Sequence, residues 1–220
     1  MTPGFAWHTG FALITSRDTL AWLHPRALSW GYFHYPAMTH SFATRAQLLA
    51  ASATPDARGT ALFATLLAAH DDPSLLGLSS EQFALLAGRH FGATRPPRAS
   101  LVIRSEEQAR FVSALVAFLL SHVRASSAAD AADADCLASI IAHACLRPDH
   151  LWRDLGLGGR DEVTDMLSQY FPALVARNVD GMRWKKFLAR ELALSLGLTP
   201  QPAPGCSGCE DFSFCFGGEA

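Results

Sequence analysis

Three cysteines close to the C-terminus form the clearest chemical pattern in the chain. Cys206, Cys209 and Cys215 are spaced as C-x2-C-x5-C in a segment rich in glycine and proline. Thiolates at this spacing suit a soft metal ion or an iron–sulfur cluster. The neighbouring glycines give the backbone the freedom that tight turns around such a group require. These three cysteines are therefore the candidate ligands of a metal or a cluster.

The cysteine pattern leaves the identity of the bound group open. A closed structural zinc site needs four ligands, whereas the C-terminal segment offers three thiolates and no histidine. A thioredoxin-like redox pair needs a strand before the motif and a helix opening at it, and we expect neither a strand before it nor a helix after it. A three-iron cluster matches the number of thiolates, and its open corner, faced by sulfides, can bind a thiophilic metal. A structural zinc or redox-responsive interaction module is the alternative, and free thiols are the third possibility.

Composition restricts the class of protein. With 220 residues, of which 50% are hydrophobic, the chain can build one sizeable core or two small ones. A net charge of −2 gives no electrostatic footprint for nucleic acid. The longest nearly apolar run, 111–120, is too short to span a bilayer, and the N-terminus lacks the basic region of a secretory signal. We therefore expect a cytoplasmic protein without nucleic-acid or membrane partners, whose five cysteines are thiols or ligands.

Helix signals recur from residue 43 onward. Ser79 and Gln82 have the spacing of a capping box at the start of a helix that should run to about His90. Ser105 and Gln108 repeat this spacing ahead of an apolar run at helical period. No convincing β alternation appears in the sequence. The predicted fold class is all-α, a helical bundle with an irregular, cysteine-rich C-terminal tail.

Three regions follow from these patterns. Residues 1–42 are crowded with aromatic side chains and show no sustained period, so they remain unplaced, either as a disordered segment or as a mis-assigned start. Residues 43–198 form the helical domain, in which 125–133 is predicted to be a loop or frayed turn and 182–196 the last helix. Residues 199–220 form the cluster-binding tail. Ordering such a tail costs about 1–2 kcal/mol per residue, so we expect it to be mobile unless a metal or a partner fixes it.

Three further residues carry atoms that could bind a metal. Cys145 falls on an apolar helical stripe, which predicts a thiol packed in the core. His143 lies off that stripe, which predicts an ordinary surface role. His150 follows Asp149, a candidate helix cap; a structural hydrogen bond is the expected role of His150, and metal contact is the alternative.

A basic face is predicted on the last helix. Arg183, Lys186 and Arg190 recur at helical spacing immediately before the tail. They form either a solvated polar face or a surface for an anion or an acidic partner. The sequence contains no glycine-rich phosphate loop and no nucleophile–base constellation, so we expect a protein that is not an enzyme.

Several segments together resemble a known family. The run 183–187 (Arg-Trp-Lys-Lys-Phe), followed after a helix by the cysteine motif and Phe216-Gly217, resembles the C-terminal signature of the nitrogen-fixation family NifQ. The runs 150–157 (His-Leu-Trp-Arg-Asp-Leu-Gly-Leu) and 176–178 (Ala-Arg-Asn) are similar to that family as well. The resemblance extends over roughly 45–220 and implies a non-enzymatic role in assembling the iron–molybdenum cofactor of nitrogenase.

The resemblance also implies a cofactor, a cargo and partners. Members of this family carry an iron–sulfur cluster of the three-iron (3Fe-4S) type, acquire molybdenum on it and donate the metal to the cofactor-assembly machinery. The implied partners are the cofactor-assembly proteins, scaffold and iron protein, together with molybdate or a molybdenum donor. Cys206, Cys209 and Cys215 match three of the four cysteines in the family pattern C-x4-C-x2-C-x5-C. Gln201 stands at the position of the first cysteine. This departure from the family pattern would affect the stability of the cluster or the way in which the cluster accepts molybdenum.

Overall fold

The structure is a computed structural model that describes residues 43–92 and 103–217. Within these two ranges the regular structure is entirely helical, which confirms the prediction of an all-α fold. None of the helices in these ranges combines the length and the apolar character that a membrane span requires. The predictions for 1–42 lie outside the described residues.

Ten α-helices are described in these ranges: α1 (Arg45–Ala51), α2 (Arg58–Ala68), α3 (Ser80–His90), α4 (Glu106–Leu120), α5 (Ala128–Ala144), α6 (Leu151–Asp154), α7 (Arg160–Tyr170), α8 (Pro172–Arg177), α9 (Trp184–Ser195) and α10 (Phe212–Phe216). Two short 3₁₀ segments, Pro73–Leu76 and Cys206–Gly208, complete the helical elements.

The helix starts follow the predicted capping signals. The Ser79 hydroxyl accepts a hydrogen bond from the Gln82 backbone N–H at 3.0 Å, and the Gln82 side chain accepts one from the Ser79 N–H at 3.0 Å, so the capping box of α3 is complete. At α4 the Ser105 hydroxyl caps Gln108, but the Gln108 side chain accepts from the N–H of Arg104 instead. The helix predicted over 182–196 is α9, which lies inside those bounds.

Helix α5 lies at the centre of the bundle. It contacts α3, α4, α6 and the segment Pro73–Leu76, and most of its residues from Asp133 to Ala144 are buried. The prediction of a loop over 125–133 was wrong, because α5 already begins at Ala128. The Ser127 hydroxyl accepts from the Asp130 N–H at 3.1 Å and caps the helix, and the following alanines have the highest helix propensity of any residue.

A buried polar network fastens α2 and α3 to α5. Asp133 is 6% exposed and accepts a hydrogen bond from Arg89 Nε at 2.9 Å. The same carboxylate lies 3.1 Å from His90 Nε2, and His90 Nδ1 lies 3.0 Å from the Thr60 hydroxyl. Thr60 has no solvent-exposed surface, so this row of side chains is a packing network rather than a reactive triad.

His143 is buried, and the prediction of a surface role was wrong. Only 8% of the residue is exposed, and its Nδ1 donates to the Ser139 carbonyl at 2.8 Å. The ring packs so closely on Gly77 that a Cβ there would lie 2.0 Å from Nδ1. His143 lies off the stripe but is covered, because α5 is enclosed on almost all sides. Burial lowers the pKa of His143 below its usual value of 6.5.

The cysteine-containing segment docks on the C-terminal end of α5. Its Gly205 N–H donates to the Cys145 carbonyl at 2.9 Å, and Ala203 and Cys206 are buried with the core. A Cβ on Gly205 would lie 2.0 Å from the Arg147 carbonyl oxygen, so this approach requires glycine. The segment also contains the five-residue helix α10, so the expectation that no helix follows the first two cysteines was wrong. The chain from 198 to 205 is irregular, as predicted.

The expectation that the tail is mobile without a metal or a partner stays a prediction; in the structure the segment is attached to the helices through Ala203, Cys206 and the hydrogen bond from Gly205. The burial of Ala203 and Cys206 and the backbone hydrogen bond to Cys145 offset part of the entropy that ordering this segment costs.

Acidification should destabilise the fold through His143. Because its folded-state pKa lies below the unfolded value of 6.5, the unfolded chain binds more protons between the two values, and stability falls as pH decreases through that window. One such histidine contributes a slope of at most about 1.4 kcal/mol per pH unit. We expect His143→Gln to flatten the dependence of the unfolding free energy on pH, measured by urea denaturation between neutral and mildly acidic pH. The exposed Ser113→Ala change on α4 is the control, and equal slopes in all three proteins would contradict the assignment.

Gly205→Ala should undock the C-terminal segment. The added methyl group collides with the Arg147 carbonyl, and overpacking of this kind costs about 1–3 kcal/mol. We expect faster limited proteolysis between 198 and 217 with unchanged helix content by circular dichroism. Gly88→Ala is the matched control, because a Cβ at that exposed position of α3 meets no atom within 4 Å. Equal cleavage rates in both variants would show that the close approach is not needed for docking.

Candidate metal centre

The three cysteines of the motif lie around one cavity. Cys206, Cys209 and Cys215 all line a space of about 60 Å³ that is bounded by α6, by α9 and by the C-terminal segment. Cys206 is 7% exposed, and the other two cysteines are half-buried. The structure therefore brings the predicted site residues together.

Successive turns fold the motif into a compact loop. The Cys209 N–H donates to the Cys206 carbonyl at 3.0 Å and closes the first turn. The Phe212 N–H donates to the Cys209 carbonyl at 3.0 Å, and the Cys215 N–H donates to the Asp211 carbonyl at 2.9 Å. These hydrogen bonds place Cys215 within α10, on the same cavity as the first two cysteines.

A buried ion network lies beneath the cysteines. Lys185 is 5% exposed, donates to the Arg147 carbonyl at 2.7 Å and pairs with the Asp154 carboxylate. Arg147 Nε lies 3.4 Å from the same carboxylate, and its guanidinium also bonds the Asp154 and Leu75 carbonyls. The network joins the start of α9 to α6 and to the turn after α5, and Lys185 itself lines the cysteine cavity.

The five cysteines fall into two groups. Burial raises the pKa of Cys145 to about 12 and that of Cys136 to about 11, and neither lines the cavity. Because metal binding requires the thiolate, these are core thiols, as predicted for Cys145. Burial also raises the pKa of Cys206, but the Lys185 ammonium favours its thiolate and opposes that effect.

Positive charge dominates the cavity wall. Among the described residues that line it, the side chains of Arg160, Arg183, Lys185 and Lys186 are cationic, and Asp149 supplies the one carboxylate. The chain as a whole has a net charge of −2, so this excess is local. Lys185 and Arg183 are paired with Asp154 and Asp211, so Arg160 and Lys186 are the cations of this wall that would offset part of the charge of three thiolates. The cavity therefore suits a group that is anionic together with its thiolate ligands.

The basic face was predicted only in part. Arg183 donates to Asp211 at 2.6 Å and Lys186 donates to the Cys215 carbonyl, so both belong to the site. Arg190 does not line the cavity and instead donates to Glu191 at 2.8 Å. Arg160 takes its place at the site. Sequence spacing could not find it, because it comes from α7.

His150 adds a nitrogen donor to the cavity. Its side chain is 13% exposed and its ring stacks on Trp152 with the centroids 6.3 Å apart. The Nε2 atom lies 3.4 Å from the Asp211 carboxylate. His150 itself, rather than Asp149, occupies the cap position of α6, while the Asp149 carboxylate accepts from the His150 N–H at 2.7 Å. Three thiolates and one imidazole are ligand types that zinc accepts. Among the described residues, however, the ligand atoms that lie within 4.8 Å of one another are those of Asp149, His150 and Glu210, without a cysteine, so the four side chains share a cavity but are not gathered around one point.

A neighbouring cluster of oxygen donors is already neutralised. Ligand atoms of Asp149, His150 and Glu210 lie within 4.8 Å of one another. Arg153 Nη1 lies 3.2 Å from the Asp149 carboxylate and 2.8 Å from that of Glu210. The guanidinium thus holds the position that a cation would take, so these carboxylates form no separate cation site.

Gln201 lies outside the centre. Its side chain is exposed and is absent from the described lining of the cysteine cavity. Gln201 is therefore not part of the cavity wall in this structure.

Comparison with known proteins gives a consistent result. The chain is 40% identical over 115 residues to a NifQ homolog of Sinorhizobium fredii, a match that covers 52% of this chain and 48% of that protein. It is 47% identical over 83 residues to the NifQ protein of Azotobacter vinelandii, covering 38% of this chain and 43% of that one. The NifQ protein of Klebsiella pneumoniae is 44% identical over 85 residues, covering 38% and 51%. The chain thus matches about half the length of these curated relatives.

No solved structure matches the chain at a significant level. The sequence model of the NifQ family matches residues 57–217, which include the whole cysteine motif and the helices that position it. The chain belongs to the NifQ family.

Proposed function

We propose that this protein is an iron–sulfur molybdenum carrier for the synthesis of the nitrogenase iron–molybdenum cofactor. In this role it takes up molybdenum in the cytoplasm, as molybdate or from a donor, and delivers it to cofactor-assembly proteins, a scaffold and the iron protein, without catalysing a reaction. The observation that carries the proposal is that Cys206, Cys209 and Cys215 line one cavity whose other charged groups are mainly cations. Membership of the NifQ family supports the same role.

The residues present fit an iron–sulfur cluster. Iron–sulfur clusters are held by cysteine thiolates, and the cavity provides three of them. When bound, a three-iron cluster supplies a sulfide-faced position that can take up a thiophilic metal. Molybdenum is then the cargo of the protein rather than a permanent part of its site.

Residues of this chain would bind the cluster, position its cysteine ligands and shield it from water. Lys185 stands beneath Cys206 and favours its thiolate, and Lys186 holds the backbone carbonyl of Cys215. Apolar side chains cover the cavity and would limit the access of water to a bound cluster, whose redox potential depends on its exposure to solvent. They are Leu151, Trp152, Val163, Trp184 and Phe216.

A structural zinc module is the second candidate, and the position of His150 favours it. The sequence offered no histidine within the C-terminal segment, but the fold brings His150 to the same cavity as the three thiolates. The cavity therefore offers four residues of the types that bind zinc, which would have to draw closer together around the ion. The cations of the cavity wall favour the cluster instead. A Zn²⁺ ion would by itself neutralise two of the three thiolate charges, so little negative charge would remain for these cations to offset.

Cys209→Ser should remove most of the bound iron and the molybdenum with it. The change deletes one of three ligands and leaves the helical core intact, so helix content should stay nearly constant. The measurement is iron and molybdenum per chain in anaerobically prepared protein. Cys136→Ser is the matched control, since this thiol lies buried in α5 away from the cavity. Full iron retention in Cys209→Ser would contradict the ligand assignment.

His150→Gln separates the two candidates in the same assay. If the three thiolates hold a cluster, we expect iron per chain to change little in this variant. If zinc is the bound metal, the loss of the imidazole should weaken zinc binding strongly, because one of four ligands is gone. Iron retained in His150→Gln and lost in Cys209→Ser is the result that the proposal requires.

A further inference from the structure

A second cavity adjoins the cysteine site. It has a volume of about 310 Å³ and is lined by Gly181, Met182, Phe214 and four residues that also line the cysteine cavity. The shared residues are Arg160, Arg183, Lys186 and Cys215. Cys215 and three cations therefore form a common wall between the two spaces.

The second cavity is cationic. No carboxylate occurs among the described residues that line it, against three positive side chains. Asp211 offsets one of these charges, because it accepts a hydrogen bond from Arg183 at 2.6 Å. The charges of Arg160 and Lys186 remain, since both donate to backbone carbonyls and not to acids.

These cations are held in place and retain donors for a ligand. Arg160 Nη2 donates to the carbonyls of Gly181 at 2.9 Å and Met182 at 2.8 Å, and Lys186 donates to the carbonyl of Cys215. A guanidinium carries five N–H donors and an ammonium three, so each side chain can bind a further acceptor. Ordering these side chains in advance lowers the entropy that anion binding would cost.

Neighbouring groups add to the positive field. The cavity lies at the start of α9, whose cap residue Arg183 has no side-chain cap on the first-turn N–H groups. The amino end of a helix carries a partial positive charge. The Arg183 guanidinium lies 5.6 Å from the ring of Phe214, which is 80% exposed and forms the outer wall.

We propose that this second cavity binds a small tetrahedral dianion next to Cys215. The identification of that dianion as molybdate rests on the function proposed above, whereas the binding of an oxyanion does not. Charge-assisted hydrogen bonds from arginine and lysine to oxyanion oxygens are among the strongest in proteins. The cavity thus serves as a waiting position for molybdate at the edge of the cysteine site. Arg160, Arg183 and Lys186 are its binding residues.

The test measures the binding of molybdate and of sulfate to the iron-free full-length chain by isothermal titration calorimetry. We expect both anions to compete for one site and to bind more weakly as ionic strength rises. Lys186→Met and Arg160→Met should each weaken binding about tenfold or more, the loss expected for one charge-assisted hydrogen bond. Lys186→Arg should restore most of it. Arg190→Met is the matched control on the same helix and should bind like the wild type.

Five outcomes would overturn the inference. Three concern the single variants and the wild type: no binding by the wild-type chain, equal weakening in Arg190→Met, or unchanged binding in both Lys186→Met and Arg160→Met. The fourth is binding of a polyglutamate peptide, added as a model of an acidic partner, that molybdate cannot displace. The fifth concerns the cysteines. The triple serine variant of Cys206, Cys209 and Cys215 must still bind sulfate, because otherwise the thiol segment and not the cationic wall holds the anion. Iron content is recorded separately. If the chain binds the dianion but no iron, the cluster assignment is refuted and the anion site is unaffected. If the chain binds iron but no dianion, the anion site alone is refuted.

Discussion

The buried carboxylate of Asp154 is the constraint on which the candidate metal centre depends. It is 8% exposed and is held between the Lys185 ammonium and the Arg147 guanidinium. Burying charges is unfavourable unless each is paired, and removing one partner of such a group typically costs about 3–5 kcal/mol. Because its three members come from α6, from the start of α9 and from the turn after α5, the network fixes these elements relative to one another. The cysteine cavity lies where the same elements meet.

The cysteine segment takes its position from that network. The turn after α5 gives its Arg147 carbonyl to Lys185 and its Cys145 carbonyl to Gly205, so one stretch of backbone serves both the ion network and the docked segment. Lys185 then lies close enough to Cys206 to favour the thiolate against the effect of burial. Lys185 thus belongs both to the buried ion pair and to the surroundings of Cys206. The stability of the bundle and the chemistry of the site are therefore connected through this side chain.

Features that depend on residues near one another in the chain could be predicted from the sequence, whereas features that depend on contacts between distant elements could not. The capping box at Ser79 and the grouping of the three cysteines depend on residues near one another in the chain, and both are present. The burial of His143, the arrival of Arg160 from α7 and the approach of His150 to the thiolates depend on contacts between distant elements. The start of α5 at Ala128 was missed for another reason, because a run of alanines and aspartates carries no apolar period although it has strong helix propensity.

The most direct test of the account is elemental and optical analysis of the wild-type protein purified without oxygen. The account predicts a coloured protein with sulfur-to-iron charge-transfer absorption, one iron for each of the three cysteines Cys206, Cys209 and Cys215, acid-labile sulfide, and molybdenum after loading. A colourless protein that contains stoichiometric zinc and no sulfide would contradict it, and would identify the cavity with His150 as a structural zinc site.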